Sequence, residues 1–530
     1  MTDLDIERAW QSRRQLLQRF GALAAASLLP WRDGQAQPVF ADDPFRLGVA
    51  AGDPAPDGFV IWTRLAPRPL EPEGGMPRQA VEVDWELARD DRFRDIVASG
   101  QAIAHPLLGH SVHVELSGLQ PARSYWYRFR AGRERSITGH ARTLPAPGSQ
   151  PARLRFAVAG CQHYEQGLYT AHRHLSREEL DFVFCYGDYI YEYRGRDFQV
   201  DPAGGELLPT ARRSQGQELM TLDDYRRRYA EAKMDLDLMQ SHARHAWFCS
   251  WDDHETVNNW AGEHAPDDTP PELFALRRAA AAQAFYEMMP LRKTSFPRGG
   301  RLQLYRRARC GELLDLHVLD TRSWRSKQAC GDRWGNYPCD GVRDPMASMI
   351  GVAQERWLFD GLAASTTRWQ GLAQQIMLAD FQRDATRDRI NLDAWIGYQL
   401  PRERLLDHVQ QCRLRNVVVL TGDEHQHYAL DIKRQGGNSS AAPLMTEFVA
   451  TSISSGGDGS PVGRGGEALL RRNPHCHFYN QQRGYVVCDV DASRWQTEFR
   501  VLDQVRRPGG VLSTAMRFVV EPGRPGVQKG

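Results

Sequence analysis

The sequence predicts an α/β domain behind a small antiparallel β-sandwich, on the strength of three observations. Between Leu154 and Thr421, apolar runs rich in Val, Ile, Leu and Phe alternate with charged stretches of helical spacing. That is the pattern of α/β layering. Ahead of them, residues 43–143 read as short alternating runs separated by turn residues, the pattern of an all-β unit. Three of the later apolar runs end in ionisable clusters: Gly187-Asp188-Tyr189-Ile190-Tyr191, Trp251-Asp252-Asp253-His254-Glu255 and Gly422-Asp423-Glu424-His425. Open α/β sheets build their sites at the carboxyl ends of strands, so the clusters predict one shared site.

Residues 1–41 read as a targeting segment. Ser12-Arg13-Arg14-Gln15-Leu16-Leu17 carries a twin arginine, and a mildly apolar stretch runs from Phe20 to Leu29. Small residues then offer cleavage after Ala36 or Ala41. This is the pattern of export by the twin-arginine translocation machinery. It predicts a periplasmic or secreted protein. The apolar stretch falls short of the ~20 residues that span a bilayer, and no stable membrane insertion is expected.

In residues 43–143, Phe45–Ala50, Gly58–Thr63, Val81–Leu87 and Val112–Leu116 are the candidate strands. Leu119-Gln120-Pro121, followed by Tyr125, has the spacing of a tyrosine corner. In that motif the chain turns at the Pro and the phenol bonds back to the backbone, which predicts a fibronectin-like sandwich. A linker from Leu144 to Pro151 closes it. From residue 151 to 520 the strand candidates are Leu154–Ala159, Phe182–Tyr186, Ala246–Trp251, Leu313–Leu319, Gln375–Ala379 and Val417–Thr421. Leu273–Tyr286 and Ala353–Ala363 are the clearest helices. The Gly/Pro-rich tail from Glu521 predicts disorder.

Composition narrows the function. The 530 residues are 41% hydrophobic and 25% charged, with a net charge of +1. That is globular rather than disordered, and it lacks the clustered basic face of a nucleic-acid binder. A monomer is expected. Of nine cysteines, Cys185, Cys249 and Cys488 lie in apolar runs as small core residues. Cys330 and Cys339 flank a loop and are candidates to pair in an oxidising compartment. Cys161 ends the run Leu154–Ala159 after Gly160, where a ligand would stand.

Tyr191 follows Asp188 by three residues, so a helical turn there would put phenol and carboxylate on one face, a ligand pair for ferric iron. Asp252, Asp253, His254 and Glu255 directly follow a buried run, and Asn258 lies just beyond. Charge does not extend a buried strand without a partner. Asp423 and His425 follow a third run, and His427 is second-sphere or merely exposed. Together these residues form a hard-oxygen and nitrogen donor set with one soft thiol. A bridging Asp188 would let two metals clamp an in-line displacement at phosphorus.

At this point the residues resemble the PhoD-type alkaline phosphatases, an outlying branch of the calcineurin-like metallophosphoesterases related more distantly to purple acid phosphatases. The resemblance covers nearly the whole chain. It includes the twin-arginine leader, the opening Phe45-Arg46-Leu47-Gly48-Val49-Ala50-Ala51-Gly52-Asp53-Pro54 and all the clusters. It implies an α/β (α+β) metallophosphoesterase sandwich that hydrolyses phosphate mono- or diesters by attack of a metal-bound hydroxide. It implies ferric iron on Cys161, Asp188, Tyr191 and His425, and calcium on Asp188, Asp253 and Asp423. His254 would contact phosphate and protonate the leaving group. Relatives in the wider superfamily carry a further His between the second and third clusters. Here Gln374-Gln375-Ile376-Met377-Leu378 has none, and Asn258 or a Gln is expected to fill the gap. The cleft walls are expected from loops such as Gln199–Gln217. Two further readings stay open: a phosphodiesterase or phospholipase acting on lipid or cell-wall polymer diesters, and a non-catalytic surface-polymer-binding protein.

Overall fold

Two large mixed sheets face each other, each built around four parallel strands. The computed structural model describes residues 39–200, 207–331, 337–438, 440–463 and 465–530. Residues 1–38 of the predicted targeting segment lie outside the described residues. The first sheet has ten strands. In spatial order they are β24 (Arg524–Lys529), β23 (Leu512–Glu521), β22 (Trp495–Leu502), β21 (Gly484–Val490), β9 (Leu154–Ala159), β10 (Phe182–Cys185), β13 (Ala246–Cys249), β1 (Val49–Ala55), β2 (Gly58–Arg64) and β5 (Ser111–Glu115). Strands β9, β10, β13 and β1 pair in parallel. The second sheet runs β14 (Arg306–Cys310), β15 (Leu314–Val318), β16 (Trp369–Ala373), β17 (Val417–Thr421), β19 (Met445–Val449), β18 (His427–Ile432) and β20 (Cys476–Asn480). Its parallel strands are β15, β16, β17 and β19.

Between the sheets lies a dry layer, with Phe156, Phe182, Phe184 and Phe248 on one side and Leu316, Val418, Leu420 and Phe448 on the other. Both faces of each parallel core are covered, which is why these strands are apolar without alternation. Helices Leu222–Lys233, Leu236–Arg244 and Pro271–Met288 cover the outer face of the first sheet. Gly351–Ala363 and Gln399–Gln411 cover that of the second. The order is helix, sheet, sheet, helix. Thr221 and Asp224 form a reciprocal capping box at the first of these helices, satisfying donors the helix itself cannot.

The N-terminal sandwich packs β4 (Ile96–Ala104), β3 (Val81–Ala88), β6 (Ser124–Ala131), β7 (Glu134–Arg135) and β8 (Gly139–Arg142) against β1, β2 and β5. Its tyrosine corner forms: the backbone N–H of Gln120 donates to the Tyr125 phenol at 3.0 Å. The sandwich's second sheet is shared. β1 pairs in parallel with β13, with Ala51 opposite Ala246, so three of its strands extend the large sheet.

Three local expectations are corrected. The tail from Glu521 is ordered, because β24 pairs with β23. The strand expected over Gln375–Ala379 lies at Trp369–Ala373, and the apolar residues after it fill the helix-side core instead. No residue of 199–217 is among the described lining of the cleft. Cys330 and Cys339 form a disulfide.

Candidate metal centre

The carboxyl ends of the parallel strands of both sheets meet at one rim. Cys161 follows β9, Asp188 follows β10, Asp252 to His254 follow β13, and Asp423 and His425 follow β17. Cys161, Asp188, Asp423 and His425 all have left-handed backbones, with φ of 52°, 54°, 63° and 55°. Non-glycine residues adopt this conformation at a cost and hold it where surrounding structure dictates it. Glycines make the close approach. A Cβ at Gly160 or Gly422 would come within 2.5 or 2.1 Å of the Tyr186 ring, so that ring lies between the two ligand loops.

Three donor groups form around Asp188 and Asp253: Cys161, Asp188 and His425; Asp188, Asp253 and His254; and Asp252, Asp253 and Asp423. In each, the donor atoms lie within 4.8 Å of one another. The Tyr191 phenol donates to Asp188 Oδ2 at 2.9 Å and lies 3.1 Å from His425 Nε2. The Cys161 thiol donates to the same carboxylate oxygen at 3.3 Å. Asp188 and Tyr191 meet through a non-helical turn, not the helical spacing the sequence suggested. The cleft over these groups measures about 420 Å³. Asp188, Asp253, His254, Asn258, Asp423 and His425 line it, with Arg383 and Arg483 on its walls.

Gln375 is committed elsewhere, to Thr321, Ser250 and the Leu319 carbonyl, and Gln374 accepts from Trp395. Neither lines the cleft. Asn258 does, and its backbone N–H donates to Glu192 at 2.9 Å. His427 is neither exposed nor beside the ligands. It is fully buried in β18 and accepts from the Thr451 N–H.

A family model described as PhoD-like phosphatase matches residues 156–499, and one for the PhoD-like phosphatase N-terminal domain matches residues 32–145. The chain belongs to the PhoD-like phosphatases. It is 44% identical over 526 residues to alkaline phosphatase D of Bacillus subtilis (strain 168), covering 98% of this chain and 89% of that protein. The solved structure of PhoD matches with a TM-score of 0.89 at 44% identity, covering 93% of each chain. A purple acid phosphatase from yellow lupin (Lupinus luteus) seeds shares the fold, with a TM-score of 0.53 and 12% identity over 89% of this chain and 73% of that one. This chain is therefore a phosphoesterase.

The electrostatics of this PhoD-like phosphatase fit a cation at the donor cluster. Burial, then the Asp188 carboxylate, pushes the Cys161 thiol and the Tyr191 phenol well above their ordinary pKa. Burial also lifts Asp188 to about 7, with Asp253 adding to it and His254 opposing. Without a cation the thiol and the phenol keep their protons and donate them to the Asp188 carboxylate. A bound cation inverts that logic.

Several residues at the site were not assigned roles from sequence. Glu255 accepts the backbone N–H groups of Asp188, Tyr189 and Asp252 at 3.1, 2.6 and 2.8 Å, stapling the β10 and β13 loops together. Glu192 holds His254 Nδ1 at 2.7 Å. Ser455 lies 2.6 Å from the Tyr191 oxygen. Arg322 follows β15 and is fully buried among Asp252 at 2.5 Å, Asp393 at 2.8 Å and Asp423 at 3.5 Å. Charged residues directly after a buried run, the rule that found the other clusters, also pick out Asp320-Thr321-Arg322. Glu192 carried a weaker signal, an acid between two tyrosines. Ser455 carried none.

Proposed function

We propose that this phosphoesterase is exported and works with ferric iron held by Cys161, Asp188, Tyr191 and His425, and with calcium held by Asp188, Asp253, Asn258 and Asp423. The observation that carries the reading is the convergence of thiol, phenol and imidazole on one Asp188 carboxylate. Thiolate and phenolate ligands suit iron, while an all-oxygen set suits calcium. The Cys330–Cys339 disulfide and the twin arginine support export, because disulfides persist in oxidising compartments.

When bound, two such cations lower the pKa of a water and neutralise charge at phosphorus. The protein's own residues supply the rest. Asp253 is aimed by the backbone N–H groups of His254 and Asn259, at 3.0 and 2.6 Å. Arg483, whose hydrogen bonds go to carbonyl and hydroxyl oxygens, adds positive charge to the wall where a phosphate would enter, while Arg383 on that wall is paired with Glu424. His254 has its Nδ1 committed to Glu192, so its other nitrogen is left to give a proton to the departing oxygen. Phosphoryl transfer asks for little more than this positioning and charge neutralisation.

The test is elemental analysis and visible absorption of the purified protein, with turnover of p-nitrophenyl phosphate and its bis ester. Iron is expected with a visible tint that Tyr191→Phe abolishes, and calcium removal should reversibly lower turnover. Colourless, iron-free but active protein rejects the iron assignment. Unchanged rates after proven calcium removal reject the calcium role.

A further inference from the structure

The hairpin of β11 (Phe198–Val200) and β12 (Leu207–Pro209) pairs only with itself among the described residues. Its register sets Phe198 opposite Pro209 and Val200 opposite Leu207. Side chains alternate along a strand, so these four share one face. That face is apolar and open: Phe198 is 53% exposed, Val200 63% and Leu207 66%, and Pro209 is exposed too. Gln199 and Leu208, on the other face, are half-buried. Two-stranded hairpins are marginal in water, and grouped exposed apolar residues mark a surface that meets something else.

The root of the hairpin is tied to the metal-centre loop. The Glu165 carboxylate, four residues after Cys161, accepts the backbone N–H groups of Arg196 at 2.7 Å and Ser214 at 3.0 Å. The Ala211 N–H donates to the Glu165 carbonyl at 2.8 Å. Both legs therefore rest on the loop that carries Cys161. Basic residues ring this root. Arg194, Arg196, Arg213 and Arg507 are exposed, Arg506 donates to the Pro209 carbonyl at 2.6 Å, and Asp197 pairs with Arg213 at 3.1 Å. Asp201 and Glu206 adjoin Val200 and Leu207 in the sequence, so five arginines (Arg194, Arg196, Arg213, Arg506 and Arg507) stand against three acids (Asp197, Asp201 and Glu206), an excess of positive charge.

We propose that this hairpin docks the protein on an anionic lipid surface. Phe198, Val200 and Leu207 enter the boundary between headgroups and acyl chains, and the root arginines meet headgroup phosphates. Apolar anchors flanked by arginine are what such a boundary binds. A second copy of the chain fits less well, because a two-fold contact would bring two arginine collars together. Through Glu165 the docked hairpin holds the metal-centre loop beside that surface. The proposal does not depend on which metals the centre takes.

The test is co-sedimentation of the full chain with vesicles of phosphatidylcholine alone or mixed equally with phosphatidylglycerol. The wild type is expected to bind the mixed vesicles about tenfold more tightly than the neutral ones. F198S/V200S/L207S should weaken that binding by about tenfold or more, with p-nitrophenyl phosphate turnover and melting temperature unchanged. R194Q/R196Q should remove most of the preference for anionic vesicles. Three outcomes each overturn the proposal. The wild type could fail to bind, the triple variant could bind like wild type, or the hairpin could hold a solution dimer that the triple variant dissolves without any vesicle binding.

Discussion

The Nδ1 of His254 lies 2.7 Å from a carboxylate oxygen of Glu192, 62 residues away, and both side chains are buried. Burial alone would lower the imidazole's pKa. Asp253, Glu192 and Asp188 outweigh it and hold His254 well above its ordinary value. These carboxylates keep His254 protonated to higher pH than a free imidazole, and Glu192 is the one of the three outside the proposed ligand set.

Glu192→Gln should therefore act through His254. An acid works while protonated, so activity that depends on it is lost as pH rises through its pKa. Removing a carboxylate lowers that pKa, and the alkaline limb of the pH–rate profile moves to lower pH. Turnover of alkyl phosphates, whose leaving oxygen needs the proton, should fall about a hundredfold. Turnover of p-nitrophenyl phosphate should fall much less. Identical profiles for variant and wild type with both substrates would remove His254 from the acid role.

Asp188→Ala takes away the carboxylate shared by two of the donor groups. Turnover of p-nitrophenyl phosphate and of its bis ester should both drop at least about a hundredfold, with bound metal lost alongside. Elemental analysis of the variant is the check, and wild-type turnover would refute the site.

Arg322 stands fully buried against Asp252 and Asp393, with Asp423 at 3.5 Å and Asp253 at 3.9 Å. Breaking a buried pair leaves uncompensated charge, at about 3–5 kcal/mol. Arg322→Met should melt lower than wild type in the metal-free state. Calcium should raise its melting temperature by more than it raises that of the wild type, because the cation replaces the missing positive charge. Equal calcium responses would count against that exchange.

Lys233 sits fully buried with Nζ 4.4 Å from the Trp62 ring centroid and 5.2 Å from that of Tyr189. Burial pulls its pKa from 10.5 down to about 7. Between those values the unfolded chain binds a proton that the folded protein does not, so stability rises with pH across the window from about 7 to 10.5. Below about 7 the full penalty, roughly 3–5 kcal/mol, is present. Lys233→Met should be more stable than wild type at pH 7, with the gap closing toward pH 10.5. Denaturant midpoints at several pH values decide it, and a constant gap would contradict the buried-lysine account.

Much of the architecture was legible in the residues. The Val- and Phe-rich runs at Leu154, Phe182, Ala246 and Val417 became central parallel strands, because strands buried on both faces must be apolar throughout. The rule that charge after such a run needs a partner picked out Asp188, Asp253, Asp423 and His425, whose donor atoms fall in groups within 4.8 Å at one rim. Alternation did not reveal that β1, β2 and β5 extend the large sheet, since an edge strand and a shared strand have the same period. The Gln375–Ala379 run was misplaced because apolar residues serve a helix-side core as readily as a strand.

By itself, the sequence determined the α/β layering, the sandwich with its Gln120–Tyr125 corner, and the set of side chains that gather at the rim. Those follow from local pattern, and burial enforces local pattern along the chain. Only the tertiary structure decided that Glu192 orients His254, that Arg322 stands among four carboxylates, and that the Phe198 hairpin stays outside the cleft. Sheet order and register bring these groups together, often from more than sixty residues apart. Such long-range pairings are settled by how whole surfaces pack, which no spacing along the chain records.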